Sequence, residues 1–355
     1  MESAMLTRLL FLLGATVSAL ITPSTARRAA SAPRMAVAAL EPGDRVVVVG
    51  ASGNVGKLVA LRLADSFEVT GLSRQPDRVR SFLPDKVQLV QADLSNPAAL
   101  EAGLQGAAAC VICTGTTAFP TKAWSKSGEE GVAMTVLKAL FDNNEPLGDD
   151  GELSALDILK RKWQRMIESL DTQGYNTPKN VDELGTYAIL KAWAAANPEP
   201  SARKRLVMLS SIGVQRRTQM PFPVLNACGV LDAKAAGEAA IQADAAAAGY
   251  AYTIVRPGQL FGGPYDNNYY LGTLFQLDKD AETREVELAR GDTLLGDTLR
   301  STLAEVTAQA MESGTARPPV EMRVPLPHHH LNDRTALVSC RLRGGSRRRS
   351  PERSH

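Results

Sequence analysis

The chain has 355 residues, 44% of them hydrophobic, and a formal net charge of +2. That length and apolar content allow a large buried core and exclude global disorder. The charge is uneven: residues 1–40 hold four arginines and one acid, residues 341–355 hold six arginines and one acid, and the stretch between has 30 basic and 36 acidic residues. A mildly acidic body makes nucleic acid a poor partner.

Taken in chain order, the first expected element is an address. Leu9–Ile21 is apolar, follows Arg8, and is too short for a membrane span. Val17-Ser18-Ala19 supplies small residues for cleavage, and the following segment is rich in Ser, Thr, Ala and Arg with no acid before Glu41. Residues 1–40 thus resemble the bipartite plastid presequence of algae with secondary plastids, although Leu20 stands where an aromatic usually follows the cleavage site. Plain secretion and a mitochondrial leader are the alternatives. Nothing later is apolar for long enough to cross a bilayer, so no integral membrane span is expected.

From residue 43 the pattern alternates strand and helix. Strands are expected at Arg45–Gly50, Glu68–Leu72, Val87–Gln91, Ala108–Thr114, Arg205–Ser210 and Tyr252–Arg256. Helices are expected at Gly53–Asp65, Asn96–Leu104, Asn180–Ala196 and Leu231–Ala248, with a last short strand at Val320–Val324. Parallel strands need crossover helices, so the fold class is α/β: a Rossmann-type doubly wound parallel sheet with helices on both faces. One domain over 43–325 is expected, interrupted at 121–174 by a helical insertion that is a substrate lid, a protein-partner surface or decoration. Residues 326–355 read as a disordered basic tail. No metal is expected: His328–His330 lack supporting ligands. Cys110 and Cys113 lie three apart on one strand and so face opposite ways.

The stretch VVVVGASGNVGK carries the chemistry. An ATPase loop counted from Gly50 needs its next glycine at position 55, which is Val55, and a hydroxyl after its lysine, where Lys57 is followed by Leu58. That reading fails on spacing. Gly50, Gly53 and Gly56 instead fit a dinucleotide turn: glycine is needed where φ is positive and where a side chain would block the pyrophosphate. Ser52, Asn54 and Val55 complete the turn, and the helix presents its free N–H groups to the phosphates. After the second strand an acid would hold the ribose of NAD, but Arg74 stands there and Arg78 follows. Two guanidiniums suit a 2′-phosphate, so NADP is expected over NAD, solvated surface arginines being the alternative. Asp93 and Leu94 are placed beside the adenine, and Thr114 and Gly115 near the nicotinamide ribose.

VVVVGASGNVG, LSRQPDR, QADL, VICTGTTAFP, VDELGT, LVMLSSIGV, GVLDAK, YTIVRPGQL and GDTLLGDTLRSTLAEVTAQAM together resemble the atypical, NmrA-like branch of the short-chain dehydrogenase/reductase superfamily. That branch includes flavin- and biliverdin-reductase-like proteins and plastid members. The resemblance implies that Ser210 orients a substrate, that Lys234 binds the ribose, and that Pro257 and Gly258 border the nicotinamide. The tyrosine four residues before the lysine in ordinary members is Val230 here, which cannot transfer a proton. Tyr187 and Lys191 repeat the spacing, but on the helix before the fifth strand, where an i, i+4 pair needs no function. Tyr265, Tyr269 and Tyr270 either line an acceptor pocket or cover the mouth of the sheet.

The expected function is therefore an NADP(H)-binding oxidoreductase reducing a conjugated small molecule. The alternative is a non-catalytic NADP-binding scaffold or assembly factor with a protein partner at 121–174. A sugar-nucleotide epimerase is disfavoured, because that chemistry leans on the missing tyrosine.

Overall fold

The computed structural model describes residues 39–128, 130–141, 155–262, 286–313 and 320–323. Most of the presequence, the three tyrosines at 265, 269 and 270, the His328–His330 run and the basic tail lie outside the described residues.

Strand β1 (Arg45–Val49) shows how the fold is built. Side chains alternate along a strand, so Val46 and Val48 enter one apolar cluster and Val47 and Val49 another. Helices α1 (Gly56–Leu63) and α7 (Arg300–Glu312) cover the first face, through Val59, Leu63, Leu303 and Met311. Helices α2 (Pro97–Leu104), α5 (Gly185–Ala196) and α6 (Val230–Ala248) cover the second, through Leu100, Leu104, Ile189, Trp193 and Ile241. A strand buried on both faces must be apolar throughout, which explains the unbroken valines.

The other strands are β2 (Glu68–Ser73), β3 (Gln88–Gln91), β4 (Ala109–Ile112), β5 (Arg205–Leu209), β6 (Ala251–Pro257), β7 (Gln259–Phe261), β8 (Glu287–Arg290), β9 (Asp297–Leu299) and β10 (Val320–Arg323). Among the described residues the main sheet runs β3-β2-β1-β4-β5-β6-β10-β8, parallel except for β8. The doubly wound α/β expectation therefore holds, with an antiparallel edge strand added. From β1 the chain winds outward to β3, then returns to β4 on the other side of β1. That reversal opens a crevice at the carboxyl ends of β1 and β4, the usual ligand position in such sheets. Strands β7 and β9 form a separate parallel pair.

Within residues 121–174 the described residues include two helices. Helices α3 (Ala133–Phe141) and α4 (Ala155–Thr172) share an apolar cluster built on Trp124, Met166 and Leu170. Trp163 ties it to the main body by donating to the Ala227 carbonyl at 3.1 Å.

Two expected helices are altered at their starts. The helix expected from Gly53 begins at Gly56, because residues 50–55 form the turn that carries the glycines. The helix expected from Asn180 opens with a π-turn over Lys179–Leu184, which wide turns of this kind often do at functional sites. Cys110 and Cys113 pack on opposite faces, as their spacing requires. Burial pushes the Cys110 thiol up to about 12, so it stays protonated.

Candidate functional site: a glycine-floored crevice

The turn after β1 is fixed by backbone contacts. Gly50 has φ of +87°. Its N–H and that of Ala51 both donate to the Leu72 carbonyl at 3.0 Å, and Gly53 N–H donates back to the Gly50 carbonyl at 3.0 Å. A Cβ on Gly56 would stand 2.1 Å from that carbonyl, so the helix can approach the strand only without a side chain there. A Cβ on Gly50 would meet the Thr114 backbone nitrogen at 3.1 Å. No side chain caps the start of α1; Lys57 N–H donates to the Gly53 carbonyl at 3.1 Å and Val59 N–H to the Val55 carbonyl at 2.9 Å.

Around this turn the strand ends assemble the crevice. Gly50, Ser52 and Gly53 line it after β1, Ser73 and Arg74 after β2, Asp93 and Leu94 after β3, and Thr114, Gly115 and Thr116 after β4. Ser73 donates to Ser52 at 2.8 Å and accepts from the Gln75 N–H at 3.0 Å, which ties the first two loops together. Arg74 and Arg78 both line an adjoining pocket with Gln75, Asp77 and Gln91. Most expected cofactor residues are thus brought together. Asn54, Val55 and Gly56 do not line the crevice; Val55 is buried in the core and Gly56 acts through packing. Ala123, Asn176 and Val181 join the wall, which the sequence did not foretell.

The other expected residues occupy a closed layer beside this crevice. Lys234 donates to Asp182 at 2.7 Å, with both side chains buried. Asp182 also accepts from the Thr116 N–H at 3.3 Å. Burial raises the Asp182 carboxyl above its usual range, and Lys234 and the Thr116 N–H oppose that rise. The ammonium lies directly under the crevice floor: a Cβ on Gly115 would be 3.5 Å from Lys234 Nζ. Thr116 Oγ1 is buried with no hydrogen-bond partner among the described residues.

Ser210 donates to Glu238 Oε1 at 2.5 Å, and Glu238 is held by Arg256 through Nε at 2.9 Å and Nη2 at 2.5 Å. A serine hydroxyl has a single hydrogen, so Ser210 in this bond can only accept from anything else. Pro257 ends β6, and Gly258 N–H donates to Thr298 at 2.9 Å. A Cβ on Gly258 would stand 1.9 Å from the Gly296 carbonyl, so its glycine is required by packing against that loop. Val230, in the place of the tyrosine, is buried with Val214, Phe222 and Leu231. Tyr187 and Lys191 lie on the exposed side of α5, away from the crevice.

Sequence reasoning missed Asp182, Glu238 and Arg256. Signals existed: Arg256 stands inside a buried strand and must find an acid, and Glu238 follows Lys234 by four residues on one helix face. The i, i+4 rule alone would have paired those two wrongly, since each bonds elsewhere.

A family model described as NAD(P)H-binding matches residues 50–144 and 172–312. The chain belongs to this NAD(P)H-binding family. The unmatched residues 145–171 fall within the expected insertion. No curated protein matches the chain. Among solved structures it is similar to a Rossmann-fold NAD(P)-binding family protein from Shigella flexneri, at 16% identity and a TM-score of 0.46, over 82% of this chain and 99% of that one. It is also similar to an anaerobilin reductase from Escherichia coli O157:H7, at 14% identity and a TM-score of 0.49, over 81% and 100%. A short-chain dehydrogenase/reductase from Veillonella parvula in complex with NADP gives 14% identity and a TM-score of 0.45, over 81% and 97%. At these identities the likeness extends to fold and no further.

Within the NAD(P)H-binding family, the crevice fits the dinucleotide on this chain's own geometry. Gly50 and Gly53, which carry no side chain, floor it at the carboxyl end of β1, the position a diphosphate takes in such sheets. Among the described residues no group of His, Cys, Asp or Glu forms a metal site, and no helix is long and apolar enough to cross a membrane.

Proposed function

We propose that the protein is an NADP(H)-dependent oxidoreductase that reduces a conjugated small molecule, and that it works in a plastid. The observation that carries the cofactor preference is Arg74 at the end of β2, lining the crevice where NAD-selective sheets place an acid, with Arg78 in the adjoining pocket. Planar guanidiniums suit a phosphomonoester through charge-assisted hydrogen bonds.

The bound cofactor supplies hydride. The chain's residues position it: the glycine turn takes the diphosphate, Arg74 and Arg78 take the 2′-phosphate, and Lys234 underlies the nicotinamide ribose beside Gly115. Val230 gives no proton, and the hydrogen of Ser210 is committed to Glu238. An acceptor whose negative charge is delocalised after hydride transfer, such as a flavin, quinone or linear tetrapyrrole, can wait for a proton from water. An aliphatic ketone would develop alkoxide charge with no acid beside it. Titration with NADPH and NADH, followed by NADPH oxidation with a panel of flavins, quinones and tetrapyrroles, tests this reading. Binding without turnover on any acceptor removes the enzymatic part, and binding of neither coenzyme removes all of it.

A second reading is a non-catalytic NADP-binding assembly factor, favoured by the burial of Val230 where a proton donor would stand. Capture of plastid proteins by the full chain, with and without NADPH, separates the two. The plastid address rests on the amino-terminal residue pattern alone, and import of residues 1–40 fused to a reporter tests it.

A further inference from the structure

We infer that the first part of the insertion belongs to the cofactor site: the loop Ser125–Gly128 aims Arg74 at the 2′-phosphate, with Gly128 and Asn176 as positioning residues. This rests on the NADP reading above and extends it to residues outside the fingerprint.

Arg74 follows β2, and its side chain is exposed. A free arginine there would lose rotamer entropy on fixing its fork. It is not free. Arg74 Nη1 donates to the Lys126 carbonyl at 2.8 Å. The same guanidinium passes over Gly128, whose φ is +80° and whose added Cβ would stand 3.1 Å from Nη2. A side chain at 128 would both strain the turn and push the fork aside. One of five N–H donors is used on the carbonyl, which fixes the plane and leaves others for an anion.

The loop that does this is itself anchored. Trp124 is fully buried and donates to the Thr117 carbonyl at 3.0 Å. Gly128 N–H donates to the Ser125 carbonyl at 3.0 Å. From beyond α4, Asn176 N–H donates to the Trp124 carbonyl at 2.8 Å, and its side-chain amide donates to the Ser125 carbonyl. Ala123 and Asn176 line the crevice alongside Arg74. Two segments far apart in sequence, one at the start of the insertion and one just past its end, therefore converge on the residue that reads the 2′ position.

If the loop were decoration, its contact with Arg74 would be an exposed hydrogen bond of little worth, and changes at 128 would leave coenzyme choice alone. The experiment measures NADPH and NADH dissociation constants by titration of the full chain, for wild type, Gly128→Val, Arg74→Ala and the double variant, with circular dichroism to check folding. Gly128→Val is expected to weaken NADPH roughly tenfold and NADH less than about twofold, because only the phosphate fork is disturbed. In the Arg74→Ala background the same change is expected to cost nothing further, as coupling through one side chain requires. Should Gly128→Val misfold, Gly128→Ala gives the same pattern at smaller amplitude. Equal weakening of both coenzymes, no weakening, or an undiminished effect without Arg74 overturns the inference. A wild-type chain with no preference for NADPH instead overturns the NADP reading, and is seen before any variant is made.

Discussion

The two ends of the crevice treat polar groups in opposite ways. At the β1–α1–β2 end, Gly50, Gly53, Ser52 and Arg74 line the space a ligand would take. At the β5–α6–β6 end, Ser210, Lys234, Glu238 and Arg256 are buried and bonded inside two closed networks with Asp182. The first end is arranged to be completed by an anion. The second is already complete, and its ions act as rigid supports beneath the floor. The difference teaches that a motif lysine or serine marks a position, while its partners decide whether it remains available for chemistry.

The strongest way to break the open end is Gly56→Val. A side chain there meets the Gly50 carbonyl, so we expect coenzyme binding to vanish and the melting temperature to fall. Gly106→Ala is the contrast: φ is +70° but no atom lies within 4 Å of the added Cβ, so only backbone strain of about 1 kcal/mol is expected. If the two variants behave alike, close packing is not what the glycine supplies.

The closed end is tested next. Asp182→Ala leaves the Lys234 ammonium buried beside no anion, and about 3–5 kcal/mol of stability should be lost in urea unfolding. Adding Lys234→Met should restore a good part of it. A loss below about 1 kcal/mol would mean that the pair is not a support. Ser210→Ala is milder: about 1 kcal/mol of stability, with NADPH affinity unchanged within about twofold, since the hydroxyl bonds Glu238 and does not line the crevice.

The smallest effect concerns pH on the face under β1. The Arg62 hydrogen bond holds the Glu305 carboxyl below its ordinary range, against partial burial. A depressed acid stabilises the fold above its unfolded pKa of about 4.3, and that contribution disappears as pH falls through the lower folded value. Unfolding in urea from neutral to acid pH should show Arg62→Ala costing up to about 1 kcal/mol near neutrality and nothing at the acid end.

Much of the open end was legible because it is local. Gly50, Gly53 and Gly56 lie within seven residues, Arg74 ends the next strand, and valine runs mark buried parallel strands. The closed end was not, because its meaning sits in distant partners: Asp182 reaches Lys234 across 52 residues, and Ser210 reaches Glu238 across 28. Arg256 could have been suspected from its burial, but no spacing rule names its acid. The helical character of the 121–174 stretch was legible, yet its contact with Arg74 depends on a loop carbonyl, which carries no side-chain signature. The π-turn before α5 likewise has no pattern of its own.

The buried indole of Trp124 gives this chain a built-in optical gauge. It adjoins Ala123 on the crevice wall, whereas Trp193 is sealed under the sheet, donating to the Ala107 carbonyl at 2.9 Å. Reduced nicotinamides absorb where indoles emit, so occupancy should dim one emitter more than the other. Replacing both Trp193 and Trp163 with phenylalanine would then leave Trp124 as the one indole of the chain, its glow following coenzyme arrival and departure without any dye.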